Sequence, residues 1–215
     1  MRRPVVAVLL ACAASGACAA EPTPDIARVA DVRSQFGATY QVTTIDRTGI
    51  DPARVGSSPL PPGLTFAPPE CAELATGEGL PNGVAGNMAA VSAAGEGNRY
   101  FVIAVETSAD VPAPEAPGEN CRRVDFTGPQ LHGAIEVVDA PAIDGVTTSG
   151  THRGEIRVVN GRPVRGELYN YVARFDNYQV IVTADPLLTP GQPVAPVNTD
   201  KARALLTAAV SAVRG

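Results

Sequence analysis

The dipeptide Asn160-Gly161 separates two short runs, Glu155-Ile156-Arg157-Val158-Val159 and Arg162-Pro163-Val164-Arg165. A two-residue hairpin loop of type I′ needs positive φ at both central positions, and Asn-Gly supplies that better than almost any other pair. The chain is therefore committed to an antiparallel sheet. Pro163 has no N–H to give to a ladder, so its N–H side should face an edge or a bulge. Residues 168–175 and 178–183 read as a second hairpin across Asp176-Asn177. Residues 88–94 and 99–107 read as a third, joined through Gly95-Glu96-Gly97-Asn98. Residues 40–45, 132–138 and 143–149 are further alternating, β-branched candidates.

Helical signals bracket these strands. Asp25 is placed to cap a helix running to about Phe36, with Ile26, Val29, Val32 and Phe36 apolar. At the far end, Thr199 or Asp200 is placed to cap a helix whose Ala202, Leu205, Leu206, Ala209, Val210 and Val213 form one apolar stripe. Residues 68–75 and 121–126 read as short helices or turns. The order predicts an α+β fold: an antiparallel sheet of about six to seven strands, with the N- and C-terminal helices packed on its one apolar face.

The first residues give an address. Arg2-Arg3 precedes an uncharged apolar run from Pro4 to Ala14, followed by small residues. That is the layout of a signal peptide, and it is too short for a stable membrane span. Two processing routes fit. Ala14-Ser15-Gly16-Ala17-Cys18 reads as a lipobox with Cys18 lipidated, and Ala17-Cys18-Ala19 reads as an ordinary cleavage site. Either way, residues 1–20 are the signal and residues 21–215 a single extracytoplasmic domain. Cys71 and Cys121 then remain as a pair, and an oxidising compartment predicts one disulfide between them.

Little in the sequence carries chemistry. A net charge of −5 lacks the basic footprint of nucleic-acid binding. With two histidines, His132 and His152, and no zinc, phosphate-loop or nucleophile-elbow motif, the sequence predicts no enzyme, metal or cofactor. Ser149, His152 and Asp144 are close in sequence but lack the strand–turn–helix elbow of a hydrolase. Arg153, Arg157 and Arg165 read as sharing one solvent face. Tyr169, Tyr171 and Tyr178 crowd one hairpin and are read either as core or as the lining of a ligand groove.

The leader, the Pro68-Pro69-Glu70-Cys71-Ala72 segment, Cys121, the stretch Ala142-Ile143-Asp144-Gly145-Val146-Thr147-Thr148 and the closing Ala/Leu/Val helix together resemble a group of small mycobacterial secreted proteins and lipoproteins of unknown function. More distantly, the layout is similar to the extracellular sensor domain of a mycobacterial membrane Ser/Thr protein kinase. The resemblance spans about residues 25–215 and implies an antiparallel sheet with packed helices and a ligand cleft between them. The expected function is a non-enzymatic, sensor-like or ligand-binding protein of the cell envelope, secreted or lipid-anchored. Its partner would be a small molecule or an envelope protein. The alternatives are a secreted hydrolase and an interaction adaptor.

Overall fold

The computed structural model describes residues 23–51, 55, 60–76, 80, 84–110, 116–188 and 193–215. The expected signal, residues 1–20 with Cys18, lies outside the described residues. The fold is α+β, and among the described residues its sheet has nine strands rather than six or seven. In chain order these are β1 (Gln41–Gly49), β2 (Thr65–Ala67), β3 (Gly86–Gly95), β4 (Asn98–Thr107), β5 (Arg123–Thr127), β6 (Leu131–Val137), β7 (Thr147–Val159), β8 (Arg162–Phe175) and β9 (Tyr178–Pro186). Their spatial order is β1-β3-β4-β9-β8-β7-β6-β5-β2, and every neighbouring pair is antiparallel.

The expected hairpins are present. Asn160 (φ 52°) and Gly161 (φ 74°) close β7–β8, and Glu96 (φ 50°) with Gly97 (φ 76°) closes β3–β4. The two additional short strands, β2 and β5, pair with each other through Phe66 opposite Phe126. The expected strand at residues 143–149 is mostly absent as a separate element. Ile143 and Val146 form a single bridge, and the strand proper starts at Thr147.

The N-terminal helix is a 3-10 helix, Ile26–Gln35. Its buried residues Ile26, Val29 and Val32 recur every third position, matching three residues per turn. Asp25 caps it, accepting from Ala27 N at 3.0 Å. Helix α1 (Ala72–Thr76) follows a 3-10 turn, Pro69–Cys71. Helix α2 (Thr199–Arg214) is capped by Asn198, whose side chain accepts from Lys201 N at 3.0 Å, one residue before the position expected. The 3-10 helix and α2 run antiparallel: Asp25 N donates to Val213 O at 2.8 Å, and Lys201 Nζ reaches Gln35 O at 3.2 Å.

These two helices cover one face of the sheet over β3, β4, β9 and the adjoining part of β8. The whole expected α2 stripe is buried there with Ile26, Val29, Tyr100, Val102, Tyr171 and Val182. The space between sheet and helices is therefore filled by side chains. The opposite face is apolar too, a departure from the one-faced expectation. Met88, Ala90, Ile103, Val105, Val172 and Ile181 form a second core with Val55, and Cys71, Val124, Phe126, Leu131 and Ile135 form a third. The Cys71–Cys121 disulfide closes over this third core, with Cα atoms 5.2 Å apart.

Candidate functional site

The helices stop at β8. Beyond them, neither helix covers the helix-side face of β5, β6 and the distal parts of β7 and β8 among the described residues. Register makes that face a grid. Arg123, Glu136, His152 and Tyr169 stand opposite one another across the four strands. In the next row stand Asp125, Ala134, Gly154 and Glu167, and then Thr127, His132, Ile156 and Arg165. Two central positions are the smallest side chains available, Ala134 and Gly154, while the surrounding ones are long and polar. The result is a groove of about 740 Å³ with a small apolar floor, bounded at one rim by Pro186 and Val194.

Its walls carry both signs of charge. Arg123 is ion-paired with Glu136 and with Asp125, the latter at 2.8 Å, and these hydrogen bonds, Asp125 first, raise its pKa further. His152 Nε2 lies 3.2 Å from Glu167 Oε1, out of line for a hydrogen bond, and its ring stacks on Tyr169 with centroids 4.3 Å apart. Burial, then the neighbouring Glu167, pushes the Tyr169 phenol up to about 12. Both histidines of the chain line this one groove. The sequence reading missed them as groove residues because His132 and His152 are twenty positions apart and come onto one face, two rows from each other, only through the β6–β7 register.

The three tyrosines singled out from sequence take another place. Tyr171 is fully buried under the helices, and Tyr169 and Tyr178 pack against the same core. None of the three lines the groove. Tyr169 comes nearest, through its stack on His152. Tyr178 faces the N-terminus instead, donating to Pro24 O at 3.4 Å.

The structure separates two other sequence groupings. The two-residue turn pairs Ile156 with Arg165 and Arg157 with Val164. Side chains alternate along a strand, so Arg153 and Arg157 lie on one face and Arg165 on the other, in the groove. The same alternation puts Ser149 and His152 on opposite faces of β7, so no Ser149–His152–Asp144 triad forms. Arg153 sits with Glu155 on the far face, where burial lowers its pKa. Among the described residues no cluster of His, Cys, Asp and Glu has the geometry to hold a metal ion. Nor is any helix among them long and apolar enough to cross a membrane.

Comparison with known proteins places this fold. The family described as "Domain of unknown function (DUF5642)" matches residues 25–214. The crystal structure of an uncharacterized Mycobacterium smegmatis protein, the Rv0999 ortholog, is 50% identical with a TM-score of 0.85, covering 90% of this chain and 99% of that one. The extracellular domain of PknH from Mycobacterium tuberculosis aligns over 89% of this chain and 92% of its own, at 14% identity and a TM-score of 0.39. No curated protein matches.

Proposed function

The chain belongs to the DUF5642 family, and from that premise we propose that it is a non-enzymatic, ligand-binding domain of the cell envelope that receives its ligand in the groove of β5–β8. One observation carries the reading: among the described residues, the half of this sheet face beyond the helices is a concave, mixed-charge surface with a small apolar floor. Such a surface suits a ligand bearing both positive and negative groups.

Position supports it. The chain enters the domain beside Tyr178, at the β8–β9 turn. Arg165, in the groove, lies ten residues along β8 from Phe175, which at strand rise is about 33 Å. With Cys18 lipidated and the domain tethered from residue 21, the groove would face away from the membrane. The disulfide is of the kind that persists in an oxidising, extracytoplasmic space.

The test uses Gly154. A Cβ there meets only His152 Cε1, at 3.8 Å, so a large side chain enters the groove without displacing the sheet. Zwitterionic fragments and short peptides, screened by NMR against the wild type, should shift resonances of Ala134, His152 and Ile156. A Gly154→Phe variant of unchanged melting temperature should lose those shifts. Equal binding by both proteins, or no shift with any probe, contradicts the reading.

A further inference from the structure

The groove ends at a stretch of β8 that β9 does not reach, the β8–β9 register stopping at Tyr169 opposite Ala184. In the β7–β8 hairpin, Val159 and Arg162 flank the two-residue turn and form a hydrogen-bonded pair. Even-numbered residues of β8 therefore bond to β7, and the N–H and C=O groups of odd-numbered ones point away from it. From Tyr169 to Phe175 those outward groups meet β9, with Tyr169 opposite Ala184 and Phe175 opposite Tyr178. The next pair would be Glu167 with Pro186. Pro186 has no N–H to give to Glu167, and the β8–β9 register ends at Tyr169 opposite Ala184, while the other edge of β9 continues along β4 as far as Asn98. Leu187 N then donates to Gly97 O at 2.9 Å, which draws the backbone farther from β8. Among the described residues, no strand pairs with Arg165 and Glu167 on that side.

The cavity itself reaches this edge. Arg165, Gly166 and Glu167 line it from β8, and Pro186 and Val194 line it from across the gap. Val194 and the nearby Leu188 are each 58% exposed. An unpaired strand edge beside a groove is the arrangement used in strand addition, where main-chain bonds supply affinity and side-chain positions supply selectivity.

We infer that an extended peptide adds as a strand to β8 at Arg165–Glu167, with an acidic side chain beside Arg165 and a basic one, two residues away, beside Glu167. This deepens the groove reading and rests on it. The side chains of Arg165 and Glu167 both stand on the groove face, so peptide residues opposite them put their side chains over the groove as well. Opposite charges directly across a strand pair are favourable and like charges are not, which sets the peptide's charge pattern. Pro163, two residues before Arg165, marks where the added strand must end, since it offers no N–H.

The experiment selects seven-residue peptides from a random display library on the full protein and measures them against two variants. Arg165→Pro removes an outward N–H but no bond to β7, as Pro163 already does naturally. Arg165→Gln removes the charge and keeps the N–H. Selected peptides should carry acidic and basic residues two positions apart. Their binding should fall roughly tenfold or more with Arg165→Pro and by less with Arg165→Gln. Hydrogen exchange in the wild type supplies a readout independent of the variants' folding: the amides of Arg165 and Glu167 should slow when peptide is added.

Unchanged exchange at those amides overturns the inference. So does binding indifferent to Arg165→Pro. If such binding still falls with Gly154→Phe, the groove reading stands and strand addition alone fails. A protein that is dimeric without peptide and monomeric as Arg165→Pro overturns it in favour of a second copy at this edge.

Discussion

Gly133 and Gly154 sit on neighbouring strands and differ in what surrounds them. A Cβ on Gly133 would lie 2.1 Å from Gly154 O and 2.7 Å from Phe126 Cζ, with backbone that cannot yield. Gly154→Ala should therefore leave stability within about 1 kcal/mol, while Gly133→Ala should cost on the order of 2–3 kcal/mol or more, as overpacking against backbone does. Paired urea melts check the contrast. Tyrosine is distinctive at the same scale. All five tyrosines, Tyr40, Tyr100, Tyr169, Tyr171 and Tyr178, have raised pKa values with burial as the first cause, and Tyr100 and Tyr169 reach about 12. An unfolded tyrosine titrates near 10. Between about pH 10 and 12 the native state thus holds more phenol protons than the unfolded chain, so stability is full below pH 10 and falls as pH rises. Phenolate absorbance and loss of circular dichroism should appear together in alkali. Phenolate forming well before unfolding, at a normal tyrosine pH, contradicts this.

At the level of elements, local patterns transmitted well and register did not. The stripe Ala202–Leu205–Leu206–Ala209–Val210–Val213 was legible because helical period and burial coincide, and every one of those residues is buried. The Asn160-Gly161 hairpin was legible because positive φ has few chemical solutions. Residues 162–165 and 168–175 read as two runs, yet β8 is one strand of 14 residues. Gly166 and Glu167 look like a break in sequence, but β7 holds both in the ladder. Strand β2 is too short to carry a pattern, and β5 alternates cleanly, with Val124 and Phe126 buried, but its five residues run on directly from Cys121-Arg122 and read as part of the same turn. The groove depends on four strands in register, so no local window contains it. The cap of α2 offers a clean element-scale check. Asn198→Ala removes the bond to Lys201 N, and should cost about 1 kcal/mol in a denaturation melt. Thr199→Ala should cost less than that, since Thr199 is not the cap.

For the whole molecule, the disulfide and the open half-sheet belong together. The helices stabilise the β1 side of the sheet, while the β2 side rests on a small core of Cys71, Val124, Phe126, Leu131 and Ile135. Cys71 and Cys121 are 50 residues apart in sequence, and joining them pins the segment bearing α1 against β5. Replacing both cysteines by serine should lower stability by about 2–5 kcal/mol. The loss should concentrate in β2, β5 and β6, read by amide exchange, with the helix-covered half retaining its protection. That places the support of the groove on the far face from the groove itself.

The most direct measurement is a backbone-amide chemical-shift map of the protein with its selected peptides. With the peptide in the groove, the perturbed amides should cluster at Ala134, His152, Gly154, Arg165 and Glu167. Perturbations centred on the 3-10 helix and α2, or spread without a centre over the sheet, would contradict that placement.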